Sequence, residues 1–93
     1  QGVDVNYKLA REWYLKASDQ GYVQAQFNLG VLYDQGLGVE QDYEKARVWY
    51  TKAADQGDRD AQYNLGYLYQ HGQGVEQNYE KARYRYFRVV WAD

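Results

Sequence analysis

Cysteine, proline and methionine are all absent from this 93-residue chain. Without cysteine it has no disulfide, no thiolate metal ligand and no thiol nucleophile, and the redox compartment stays open. Without proline, nothing in the sequence breaks a helix from within, which suits a chain built mostly of helix. Without methionine, Gln1 is not a translational start; it is expected to follow a processing site or earlier residues. No apolar run reaches the length of a membrane span and no signal-peptide pattern is visible, so a membrane is not an expected partner. The formal net charge is −2, which provides no broad basic field for phosphate backbones, so nucleic acid is not an expected partner either. A local basic patch stays open.

Catalytic residue types are equally sparse. There is one histidine, His71, and the only serine and threonine are Ser18 and Thr51. A nucleophile needs a base held beside it by a third group, and no motif joins these three. His71 reads as a helix C-terminal residue, where a cation is mildly favoured. Asp58 and Asp60 form a nearby carboxylate pair, but they open a helix, where negative charge is stabilising in any case. One histidine and scattered carboxylates do not make a metal-ligand cluster. The sequence therefore points to no enzyme, no metal and no cofactor.

What the chain does have is aromatic surface, with twelve Tyr, three Trp and two Phe, and a tandem repeat. A shift of about 36 residues places AQFNLGVLYDQGLGVEQDYEKARVWY (Ala25 to Tyr50) on AQYNLGYLYQHGQGVEQNYEKARYRY (Ala61 to Tyr86) without gaps, with roughly two-thirds of positions identical. An earlier fragment, Gly2 to Gly21, matches Gly38 to Gly57. The expected organisation is one domain over residues 1–93: a half repeat 1–21, then repeats 22–57 and 58–93.

Each repeat reads as two helices. The first, helix A, is expected over Tyr22 to Gln35 and Asp58 to His71, where Ala25, Leu29, Leu32 and Tyr33, and then Ala61, Leu65, Leu68 and Tyr69, recur at helical spacing. The second, helix B, is expected over Asn6 to Gln20, Asp42 to Gln56 and Asn78 to Ala92. Asn6, Asp42 and Asn78 stand where N-caps are wanted, and Gly21 and Gly57 where left-handed stops are wanted. The A-to-B loop carries Gly36 and Gly38, repeated as Gly72 and Gly74. This Gly-x-Gly follows a helix rather than a strand, so it reads as backbone turning and not as a dinucleotide fingerprint.

Gly30 and Gly66 lie inside helix A, where each costs about 1 kcal/mol relative to alanine. Close approach of Ala46 and Ala82 from helix B is the expected reason. Trp13, Trp49, Tyr14, Tyr50 and Tyr86 are expected to fill the space between helices. The runs Glu44, Lys45, Arg47 and Glu80, Lys81, Arg83 read as a solvated charged face with local pairing.

Across Leu29 to Gly57 the chain spells LG-x-LY-xx-G-x-GV-xx-x-Y-xx-A-xx-WY-xx-AA-xx-G, a pattern that resembles the Sel-one-like repeat family, relatives of the tetratricopeptide repeats. The resemblance covers nearly the whole chain. It implies an all-α, α/α superhelical solenoid, here of about two and a half helix-turn-helix repeats and five helices, with helix A lining the concave side. It also implies a scaffold or adaptor role. Some cysteine-rich members are linked to β-lactams, but their cysteines and any Ser-x-x-Lys motif are missing here, so that link does not carry over. The match departs at the C-terminal end, where Trp49, Ala53, Ala54 and Asp55 are replaced by Arg85, Val89, Val90 and Trp91. A terminal repeat normally presents a polar outer face. This one carries Tyr84, Phe87, Val90 and Trp91, which cannot all hide against one neighbour and are expected to meet a partner, a missing helix or a second copy.

From Gln24 to Gln35 the two full repeats differ at Gln24/Asp60, Phe27/Tyr63, Val31/Tyr67, Asp34/Gln70 and Gln35/His71. Steps of three, four, three and one place these on one helical face. Positions that build a repeat should recur, whereas positions that meet a ligand are free to differ. This face is therefore the expected partner-binding surface, with Phe27, Tyr63 and Tyr67 as anchors. It has no Lys or Arg, so the carboxylate clamp of some tetratricopeptide relatives is not expected. A protein or peptide that is apolar or basic suits it better than an acidic one. The alternative is a self-assembling structural module, a homo-oligomer formed through the terminal helices.

Overall fold

A computed structural model describes residues 6–91. It contains five α-helices of 13 residues each: α1 (Tyr7–Asp19), α2 (Val23–Gln35), α3 (Tyr43–Asp55), α4 (Arg59–His71) and α5 (Tyr79–Trp91). The start of the half repeat at Gly2 and the expected helix end at Ala92 lie outside the described residues. Each helix packs on its neighbours in sequence, α2 with α3 and α4 with α5 as the tightest pairs. The result is a one-dimensional stack of helical hairpins, an all-α solenoid.

Capping chemistry sets the helix limits. Asn6, Asp42 and Asn78 hold the first turns of α1, α3 and α5, their side-chain oxygens accepting from the N–H groups of Leu9 (3.0 Å), Lys45 (3.1 Å) and Lys81 (2.9 Å). Each bond satisfies a donor that the helix itself leaves unpaired. Asp58 caps α4 in the same way, accepting from Ala61 N–H at 2.7 Å. Tyr22 occupies the equivalent place before α2, with almost the same backbone, and makes no side-chain cap. At the C-terminal ends of α2 and α4, Gly36 (φ 68°) and Gly72 (φ 65°) take the left-handed conformation, their N–H groups returning to the carbonyls of Leu32 and Leu68.

The core consists of small and branched side chains in layers. Leu29, Leu32, Leu65 and Leu68 are buried together with Ala25, Ala46, Ala53, Ala54, Ala61 and Ala82. Burying each leucine contributes roughly 1.5–3 kcal/mol, while the alanines allow helices to approach closely. Tyr50 is the largest side chain fully inside. Two buried glutamines satisfy polar groups between helices. Gln62 donates to the Ala54 carbonyl at 3.0 Å and accepts from Arg85 at 3.1 Å, and Gln26 accepts from Gln56 at 2.7 Å.

Three expectations are corrected. Gly30 and Gly66 make room for tyrosine, not for Ala46 and Ala82: a β-carbon at Gly30 would lie 2.5 Å from two ring carbons of Tyr50, and one at Gly66 the same distance from Cε1 of Tyr86. Trp13 does not fill an interhelical space, since it is 67% exposed. Among the described residues α1 packs mainly on α2, with the following loop seated on its first turn, whereas α3, which carries Trp49, lies between α2 and α4. The charged runs do not pair locally. Lys45 and Lys81 lie over the rings of Tyr33 and Tyr69 at 5.5 and 5.6 Å, and the one ion pair among the described residues joins Arg85 to Asp55 at 3.9 Å.

The glycine loops also fix how hairpins stack. A β-carbon at Gly38 (φ 73°) would meet the Tyr7 backbone carbon at 2.9 Å and Lys8 N at 3.1 Å, and one at Gly74 (φ 70°) would meet Tyr43 C at 2.5 Å and Glu44 N at 2.6 Å. Each A-to-B loop thus rests directly on the first turn of the preceding helix B.

Candidate functional site

Helices α2 and α4 flank a cleft of about 270 Å³. Val31, Asp34 and Gln35 of α2 line one side, and Tyr63, Asn64, Tyr67 and Leu68 of α4 line the other, with Tyr50 of α3 and Gln73 of the following loop completing it. The walls exist because the 3.6-residue period turns positions 31, 34 and 35 of one helix, and 63 and 67 of the next, away from the leucine face.

Five of the ten residues expected on the binding face line this cleft: Val31, Asp34, Gln35, Tyr63 and Tyr67. The other five, Gln24, Phe27, Asp60, Gln70 and His71, lie outside its lining. Tyr63 and Tyr67 are 53% and 42% exposed. Phe27 is only half-buried and packs its ring on Tyr50 at 5.7 Å, as Tyr63 does on Tyr86 at 5.5 Å. These two positions therefore help to seat the helix-B tyrosine as well as facing outward. Tyr67 stacks on His71, with centroids 4.0 Å apart and planes 16° apart, which stiffens the aromatic wall.

Asp34 and Gln70 also have a structural task that sequence comparison missed. Tyr50 donates its hydroxyl to Asp34 Oδ2 at 2.9 Å, and Tyr86 donates to Gln70 Oε1 at 2.7 Å. Burial, then the Asp34 charge and this hydrogen bond, push the Tyr50 phenol well above its ordinary value of 10.0; a bond with Asn64 pulls weakly the other way. Tyr86 is raised as well, by burial first and then by Tyr63 and Tyr67.

Four lining residues, Tyr50, Asn64, Leu68 and Gln73, were not expected. Asn64 and Leu68 match Asn28 and Leu32, so a search for differing positions discards them. Tyr50 belongs to helix B. Gln73 does differ from its counterpart Leu37, and carrying the comparison two residues beyond helix A would have found it.

The exposed apolar residues of α5 form a second surface. Tyr84, Phe87, Val90 and Trp91 are 53%, 57%, 65% and 66% exposed, and Phe87 and Trp91 lie against each other with centroids 6.1 Å apart. Among the described residues no helix is long and apolar enough to cross a membrane, and no group of three or more His, Cys, Asp or Glu is placed to hold a metal ion.

The repeat architecture and its motif define a class of helical solenoid. The Sel1 repeat model matches residues 1–22, 23–58 and 59–84, and the chain belongs to the Sel1 repeat family. Its fold is similar to that of a Sel1 repeat protein from Oxalobacter formigenes (43% identity, TM-score 0.89), covering 96% of this chain and 37% of that one. It is also similar to a protective antigen present in uropathogenic Escherichia coli strains displaying an SLR fold (40%, TM-score 0.90), covering 96% of this chain and 19% of that one. Helicobacter pylori cysteine rich protein B is a third (28%, TM-score 0.85), covering 91% of this chain and 64% of that one. The chain thus spans between about one fifth and two thirds of the length of these structures. No curated protein matches it. Sel1 repeat proteins are generally protein-interaction scaffolds and typically non-enzymatic.

Proposed function

We propose that this chain is a non-catalytic scaffold module that holds a segment of a partner protein in the cleft between α2 and α4. The observation that carries this reading is the exposure of Tyr63 and Tyr67 beside a cleft already formed. Exposed tyrosines on a rigid wall provide contact area with little rotamer entropy to lose on binding. The binding face has no Lys or Arg, so an apolar or basic segment fits it better than an acidic one. Replacing Tyr63 and Tyr67 together by alanine should weaken capture of the partner by at least about tenfold, the usual scale for a lost hot-spot aromatic, while the helical circular-dichroism signal stays largely intact. Unchanged affinity with intact helicity would remove the cleft from the reading.

The apolar face of α5 supports a second reading, in which copies associate through their terminal helices. Four large side chains more than half exposed on one short helix make the kind of patch that monomers seldom leave open. Light scattering across a concentration series separates the two. A monomer at every concentration would end the self-association reading and leave the cleft reading untouched.

A further inference from the structure

The two full repeats solve one structural problem with different chemistry. The helix-B tyrosine needs an acceptor for its hydroxyl: Gln70 supplies a neutral amide oxygen to Tyr86, and Asp34 supplies a carboxylate oxygen to Tyr50. The amide suffices for the scaffold, so the charge at Asp34 is surplus to it. That charge is half-buried, where it loses hydration, and among the described residues it is the one charged side chain lining the cleft. Its Oδ2 takes the Tyr50 hydroxyl, and Oδ1 has no hydrogen-bond donor among the described residues. Tyr67 stands across the cleft where the other repeat has Val31, which adds an aromatic wall to the same cleft.

We infer that this cleft is a receptor for a cationic side chain, specifically the guanidinium of an arginine presented by the partner segment. A guanidinium donates to carboxylate oxygens and packs flat on aromatic faces, and a cleft with a carboxylate, two exposed tyrosines and no competing Lys or Arg provides both. This deepens the groove reading and rests on it: the tyrosines anchor the segment, and Asp34 selects for arginine at one position along it.

The test uses N-acetyl-arginine methylamide as probe and its citrulline counterpart, which has nearly the same shape but no charge, titrated to tens of millimolar against the labelled chain. Amide shifts at Val31, Asp34, Asn64 and Tyr67 are expected with the arginine probe and not with citrulline. Asp34→Asn keeps an acceptor for Tyr50 and should weaken arginine binding by roughly tenfold or more, the scale of a lost charge-assisted bond. Tyr67→Val, which installs the side chain of the other repeat, should weaken it without touching the Tyr50 contact. No shift with arginine, equal shifts with citrulline, or unaltered binding by Asp34→Asn would each overturn the inference. The two readings fail separately: partner capture that survives Asp34→Asn but is lost in the Tyr63 and Tyr67 double variant removes the arginine receptor and keeps the cleft, whereas capture that survives the double variant removes the cleft itself.

Discussion

Replacing Gly30 by alanine sets two physical effects against each other. Helix propensity alone favours alanine by about 1 kcal/mol. Against this, the new methyl would lie 2.5 Å from Cδ1 and Cε1 of Tyr50, a ring that is 1% exposed, bonded to Asp34 at 2.9 Å and packed on Phe27. These contacts fix the ring although it borders the cleft. Overpacking of this kind costs about 1–3 kcal/mol, and a shift large enough to relieve it would also break the Tyr50 hydrogen bond, about 1 kcal/mol more. The net expectation is a loss of ~2 kcal/mol, or a fall of about 8–16 °C in melting temperature for a domain of this size. Gly66→Ala serves as the internal control. Its methyl meets Tyr86 just as closely, but that ring is only half-buried and its hydroxyl bond to Gln70 is exposed, so it can move aside. The loss should be under about 1 kcal/mol once the propensity gain is included. Thermal and urea denaturation of both variants measures the difference. A Gly30→Ala protein as stable as the wild type, or equal losses at the two sites, would refute the argument that tyrosine packing dictates these glycines.

Two further outcomes follow from the same geometry. Tyr22→Asp gives α2 the cap that Asp58 gives α4, on nearly the same backbone, and should raise stability by about 0.5–1 kcal/mol in chemical denaturation. Tyr50 has a folded-state pKa raised above its ordinary 10.0, so its contribution is present below that pH and is lost as pH rises through the folded value. Tyr50→Phe should cost about 1 kcal/mol at neutral pH and show a shallower decline of melting temperature on the alkaline side than the wild type.

The helices were legible because their limits are encoded locally. Asn6, Asp42 and Asn78 make their caps, and Gly21 and Gly57 take the left-handed conformation just past the ends of α1 and α3. The period of the leucines assigned the buried face of helix A, as Leu29 and Leu65 at 0% exposure show. What escaped was pairing between elements. Which residue of α3 enters the gap left by Gly30 depends on helix crossing, and it is Tyr50, four residues on from Ala46 and one turn further along the helix. The rule that differing positions face a ligand found the cleft walls at Val31, Asp34, Gln35, Tyr63 and Tyr67. It misjudged the part played by Asp34 and Gln70, because an acid and an amide can fill the same hydrogen-bonding role and so differ without being free of structural duty.

Each glycine loop is seated on the main chain and β-carbon of the first turn of the preceding helix B. At this seat the rise from one hairpin to the next is therefore gauged by atoms that nearly every residue shares, and not by the outer reach of long side chains. Residues along the cleft can then change to suit new ligands while the pitch of the array stays as it was, so recognition and curvature are free to evolve independently.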